Sequence, residues 1–230
     1  MCTGETVEVL HRRSIARSGT SAPSVACVRM DVPAADGPID ATGAAPMPLR
    51  FFGDQVLRRV ASPVTEITDE IVDLAHRMLV TMELEEGVGL AAPQVGVSLR
   101  VFTHALDDLA PPVLINPEIV ESRGEWTFQE GCLSIPGLYY DVVRPKELHL
   151  RALGLDGEVI DIDADELLAR VIQHEQDHLD GILFIDRVIG DDRSDASDEL
   201  ARRVARTLGA GDPFLTGAPI PRLRRRTQPL

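Results

Sequence analysis

Gln173-His174-Glu175-Gln176-Asp177-His178-Leu179-Asp180-Gly181 is the stretch on which the reading of this chain turns. Two histidines four residues apart share one face of a helix, with Cβ atoms about 5–6 Å apart, so their imidazoles can converge on a single metal ion. Glu175 lies beside them, where a carboxylate can handle the proton of a metal-activated water. Val171, Ile172 and Leu179 flank the polar residues. Much of the helix is therefore buried, and buried His and Glu side chains need partners that a metal supplies. The same motif on a solvent-facing helix would be inert, and the apolar flanks count against that alternative. Asp163 with Glu166 three residues later has the pattern of a capping box, and Gly181 is a stop signal. The expected helix spans 163–180.

Working outward, the segment before this helix has a different texture. Short β-like runs at 99–102, 113–115, 126–128, 148–153 and 158–162 follow one another, with Asp156-Gly157 as a hairpin signal between the last two. Further upstream, Ile71, Leu74, Ala75, Met78, Leu79 and Met82 recur at helical spacing behind a potential Thr68 N-cap, and Gly87 ends the pattern. Helix, many strands, helix is the order of an α+β fold rather than of alternating βαβ units. Residues 1–46 are rich in Ala, Ser, Gly, Pro and Thr without a sustained period and read as a disordered extension. The ordered domain is expected over 47–190. Residues 191–230 read as a tail with one short helix at 198–208.

The 230-residue chain is 44% hydrophobic and 26% charged, ordinary for a globular protein. Its net charge of −14 is concentrated: residues 47–190 hold 26 Asp and Glu against 11 Lys and Arg. Such a core repels nucleic-acid phosphates, so no specific nucleic-acid partner is expected. The basic run Arg222, Arg224, Arg225, Arg226 reads as a solvated tail. No run of 18 apolar residues exists to cross a membrane, and three cysteines, two of them near the N-terminus, imply no disulfide framework.

A catalytic metal site needs a third protein ligand and an open position for water. The place ten residues after His174, where one class of zinc proteases has a third His, holds Phe184. Glu199 is available further along but lies in a charged segment. Cys132, in Glu130-Gly131-Cys132-Leu133-Ser134, offers a thiolate suited to zinc or ferrous iron. By itself a lone cysteine is better read as a small buried hydrophobe. A third segment, Gly87-Val88-Gly89-Leu90-Ala91-Ala92-Pro93-Gln94, combines small residues that let a backbone approach a ligand with an amide able to donate to a developing oxyanion. Alone it is equally a tight turn.

Together the three segments resemble, in order and separation, the motifs of the peptide deformylase family. The matches are Gly-x-Gly-x-Ala-Ala-x-Gln at 87–94, Glu-Gly-Cys-Leu-Ser at 130–134, and Gln-His-Glu-x-Asp-His-x-x-Gly at 173–181. Phe52-Gly53-Asp54-Gln55-Val56-Leu57-Arg58 looks like that family's opening segment. The resemblance implies antiparallel β-sheets packed around a central helix carrying the HExxH motif. It implies Cys132, His174 and His178 as metal ligands, Glu175 as the proton-transferring residue, and Gln94 with the Leu133 backbone N–H as oxyanion donors. Val88, Gly89, Gly131 and Val171 are expected to contact substrate, with Val88, Leu133 and Val171 forming a slot for methionine. The implied substrate is a formyl-methionyl nascent peptide, met in the cytoplasm close to the ribosomal exit tunnel. The implied metal is Fe2+, with Zn2+ or Ni2+ tolerated. Many relatives carry an Arg shortly after the Cys motif, and here the nearest is Arg144. Two other readings stay open on sequence grounds. One is a zinc endopeptidase using His174, Glu175, His178 and Glu199. The other is a non-catalytic zinc-stabilised, ribosome-binding protein whose fourth ligand comes from His76, His104 or His149.

Overall fold

From Asp69 the apolar residues return every three or four positions, and they form helix α1 (Asp69–Leu84). Its buried face, Leu74, Ala75, Met78 and Met82, packs with Val64, Leu90, Val101, Val113 and Ile115. A computed structural model describes residues 44–106 and 111–210, with side chains followed to residue 203. Of the extension expected to be disordered, 1–46, residues 1–43 lie outside the described residues, as does the arginine run at 222–226. Thr68 does stand at the N-cap, though without a side-chain cap bond. At the other end the left-handed residue is Glu86, at φ 55°, not Gly87. Gly87 closes the turn with its N–H on the Met82 carbonyl at 2.8 Å. It serves as a glycine for another reason: a β-carbon there would come within 2.9 Å of Leu133 Cδ1.

Seven strands follow α1: β1 (Gly89–Ala91), β2 (Val101–His104), β3 (Val113–Arg123), β4 (Trp126–Cys132), β5 (Ile135–Arg144), β6 (Glu147–Leu153) and β7 (Val159–Asp165). All named pairings are antiparallel. β1-β2-β3-β6-β7 make one sheet, and β4-β5 make a separate ribbon. The β6–β7 hairpin turns where Asp156-Gly157 signals it. Gly157 takes φ 79°, and Asp156 Oδ1 accepts the Glu158 N–H at 3.0 Å.

β7 corrects the expected helix start. Asp163 does not cap; it lies in the ladder opposite His149, and pairing continues to Asp165 opposite Glu147. Buried Ala164 gives the sheet another inward position, so the strand outcompetes the local capping pattern. Helix α2 (Glu166–Leu179) then starts with Asp165 at its N-cap. Ala169, Ile172 and Leu179 pack on Phe102, Leu114, Leu148, Leu150 and Ala152 of the five-stranded sheet. On its other side α2 is tied by buried ion pairs to the β4–β5 ribbon. The fold is thus α+β, with antiparallel sheets around the HExxH helix, as expected.

Helix α3 (Asp191–Ala210) begins seven residues earlier than the expected 198–208. Its first turns lack apolar periodicity, but Asp191 and Asp192 suit the positive end of the helix dipole. Ala196 and Leu200 join Leu57, Ile135, Leu138, Val142, Phe184 and Val188 in one buried cluster.

Candidate active site

Each site residue is delivered by a different local device. The β4–β5 pairing shifts register between Glu130 and Cys132. A bulge of this kind re-aims side chains, and here Glu130 and Cys132, two residues apart, both reach the face of α2. Cys132 Sγ lies 3.2 Å from His178 Nε2 and accepts the Ser134 N–H at 3.4 Å. One donor atom from each of Cys132, His174 and His178 can be chosen so that all lie within 4.8 Å of one another. Among the described residues no fourth His, Cys, Asp or Glu joins them.

The two imidazoles stand at 5.1 Å between ring centroids and 72° between planes. His174 is held on two sides. Its Nδ1 meets Glu130 Oε2 at 3.0 Å, leaving Nε2 for the site, and its ring stacks on Phe184 at 6.1 Å. Burial opposes a charge on His174, but its bonds to Cys132 and Glu130 hold its pKa well above the ordinary value. His178 is pushed well below by burial and by His174 beside it. A thiolate and two imidazoles are a fitting donor set for a divalent transition metal.

Glu175 is 3% exposed, with Oε2 unpartnered. Burial pushes its carboxyl up to about 7. It faces the backbone of β1, where a β-carbon on Gly89 would collide with Glu175 Oε1 and come within 2.9 Å of Val171 Cγ1. Gly89 is thus a glycine of close approach. Gln94, 1% exposed, sits in a 3-10 turn (Ala92–Val95). The Ala91 N–H donates to its Oε1 at 2.7 Å, which orients the amide. Gln94 Nε2 then points to Cys132 Sγ at 3.6 Å and Ser134 Oγ at 3.4 Å.

Of the residues expected to touch substrate, Val88 is half exposed, and its carbonyl accepts the Ala105 N–H at 3.2 Å. Val171 is buried against Gly89. Leu133 reaches Gly87 and is partly buried. Gly131 lies under the exposed Tyr139 ring, which a β-carbon on the glycine would strike. Arg144, the nearest arginine after the Cys motif, is turned inward and is 4% exposed. It forks between Glu130 (Nε 2.6 Å, Nη2 3.0 Å) and Asp177 (Nη1 2.8 Å).

That buried network is what local reading of the sequence missed. Glu130 also accepts from Arg170 Nη1 at 2.6 Å. Burial alone would raise its pKa, but His174 and Arg144 hold it far below the ordinary carboxylate range. The available signal was Arg170 and Asp177 lying among apolar neighbours on α2. Glu199 pairs with Arg203 at 2.9 Å and Arg202 at 3.2 Å on α3, outside the ligand cluster.

The family model described as polypeptide deformylase matches residues 46–194. A peptide deformylase of Hydrogenovibrio crunogenus is 44% identical over 157 residues, covering 67% of this chain and 93% of that protein. A peptide deformylase structure from Legionella pneumophila superposes with a TM-score of 0.64 at 41% identity, covering 70% of this chain and 99% of that one. A Met-Ala-Ser-bound class I type b peptide deformylase from Acinetobacter baumannii gives 0.61 at 34% identity, covering 63% and 99%. The chain belongs to the polypeptide deformylase family.

Proposed function

We propose that this chain removes the formyl group from the N-terminal formyl-methionine of new proteins, releasing formate, through a site made of Cys132, His174, His178, Glu175, Gln94 and Leu133. The observation that carries the reading is the convergence of one thiol and two imidazoles beside a buried carboxyl with a raised pKa. When bound, the metal supplies Lewis-acid chemistry that polarises the formyl carbonyl and makes a water nucleophilic at neutral pH. Cys132, His174 and His178 hold it, and we assign Fe2+ as the working metal. Zn2+ and Ni2+ are compatible with the same thiolate and imidazole donors.

Glu175 takes the proton of the attacking water and passes it to the amine that leaves. A carboxyl whose pKa stands near 7 is matched to both tasks, because it gains and loses the proton at similar cost. Gln94 Nε2 and the Leu133 N–H donate to the oxygen on which charge develops. Removing one such donor costs about 2.7–4 kcal/mol of transition-state stabilisation. Gln94 is suited to the role because Ala91 fixes its amide before substrate arrives.

Val88, Leu133 and Val171 form the apolar slot for methionine, and the backbones at Gly89 and Gly131 lie alongside the peptide. Met-Ala-Ser, bound by the Acinetobacter baumannii relative, begins with the methionine such a slot would take. No helix among the described residues is long and apolar enough to cross a membrane. We place the reaction in the cytoplasm, on chains emerging from the ribosome.

The test is formate release from formyl-Met-Ala by protein prepared without oxygen and loaded separately with Fe2+ and Zn2+. Turnover with faster rates in Fe2+ supports the whole reading. No formate from folded protein with either metal refutes it.

A further inference from the structure

We infer that Asp177 and Arg187 are positioning residues for the metal ligand His174, acting through Arg144 and Glu130. This inference rests on His174 serving as a ligand. The contacts form one unbroken path. His174 Nδ1 meets Glu130 Oε2 at 3.0 Å. Glu130 takes the Nε and Nη2 of Arg144. Arg144 gives its remaining Nη1 to Asp177 Oδ2 at 2.8 Å. Arg187 Nε reaches that same oxygen at 3.1 Å, and its Nη2 reaches Oδ1 at 2.5 Å.

The burial along this path shows why its outer end matters. The Glu130, Arg144 and Asp177 side chains are 4%, 5% and 7% exposed, whereas Arg187 is 46% exposed. One buried guanidinium, Arg144, is shared between two buried carboxylates. Its position is a balance between them. Arg187 is the second cation on Asp177, and it offsets the pull of that carboxylate on Arg144. Without Arg187, Asp177 has Arg144 as its main counter-charge and draws it away from Glu130. Glu130 then holds His174 with a loosened grip. An open groove of about 520 Å³ is lined by Arg144, Asp177 and Arg187. The outer half of the path therefore has room to rearrange, while Arg170 and Phe184 restrain the inner half.

Changes in the outer partners of metal-bound histidines typically cost 10–100-fold in affinity. Arg187→Gln is expected to speed loss of Zn2+ to a chelator about tenfold. It should also shift the His174 Nδ1–H resonance in the zinc-loaded protein. Arg187→Lys, with a point charge in place of the planar fork, should fall between wild type and Gln. Arg151→Gln is the control, because Arg151 makes a comparable half-exposed ion pair with Asp161 across the β6–β7 hairpin. It should leave both readouts unchanged.

The experiment is chelator competition and imidazole NMR on the full chain, with thermal unfolding beside them. Wild-type protein that binds no zinc would remove the metal-site reading itself. Where wild type binds zinc, unchanged release and an unchanged His174 resonance in Arg187→Gln would overturn the positioning role. Faster release that merely tracks lost thermal stability, and is matched by Arg151→Gln, would overturn it as well.

Discussion

Gly89→Ala is the sharpest perturbation available, because the added methyl group has one place to go. It collides with Glu175 Oε1, and Val171 Cγ1 at 2.9 Å closes the space beside it. Glu175 is anchored on a buried helix and cannot swing into solvent. Relief therefore requires the carboxylate to move by roughly an ångström, a displacement that can cost on the order of 100-fold in rate. That corresponds to about 2.7 kcal/mol of barrier. Over-packing should also lower stability by about 1–3 kcal/mol. The assay is kcat and KM for a formyl-Met peptide, with bound metal and urea unfolding measured on the same preparation. We expect kcat to collapse while metal remains bound, since the atoms nearest the added methyl group belong to Glu175 and Val171 and not to a metal ligand. A kcat within about threefold of wild type would refute the claim that Gly89 exists to let Glu175 stand where it does.

Three further outcomes are expected. Gly131→Ala meets the Tyr139 ring just as closely, but that ring is 61% exposed and can rotate away. Its unfolding free energy should change by less than about 1 kcal/mol, and a larger loss would show that Tyr139 is fixed. In metal-free protein, burial raises the Glu175 carboxyl from 4.5 to about 7. Between those values the folded state keeps a proton the unfolded chain has released, so stability falls as pH rises, by about 3 kcal/mol in full. Urea unfolding at about pH 4 and about pH 8 should show that slope reduced in Glu175→Gln, and equal slopes would contradict it. Glu199→Ala should keep metal and activity, because Glu199 is engaged by Arg202 and Arg203 on α3. Loss of both would favour the endopeptidase arrangement.

Local chemistry made much of this molecule legible. The apolar period of α1, the Asp156-Gly157 turn and the flanks of His174 and His178 each act over a few residues, and the structure reproduces them. β5 was invisible because Pro136 and Gly137 interrupt it, and its existence depends on pairing with β4. The start of α2 was misplaced because a capping pattern at Asp163 competes with a ladder that only a distant partner, His149, reveals. The Glu130–Arg144–Asp177 network joins residues 14 and 33 positions apart. No window of local sequence shows that a buried arginine has two carboxylates waiting. The site itself was readable in pieces, since each motif keeps its chemistry within a few residues, and the fold supplies the convergence.

The central claim divides labour between three residues that hold a metal and one carboxyl that moves a proton. Metal content and formate release should therefore be measured on a single preparation of Glu175→Gln, made without oxygen and loaded with Fe2+. We predict metal bound as in wild type, with formate release from formyl-Met-Ala reduced by a factor of about 100 to 10,000. Release near the wild-type rate would contradict the account.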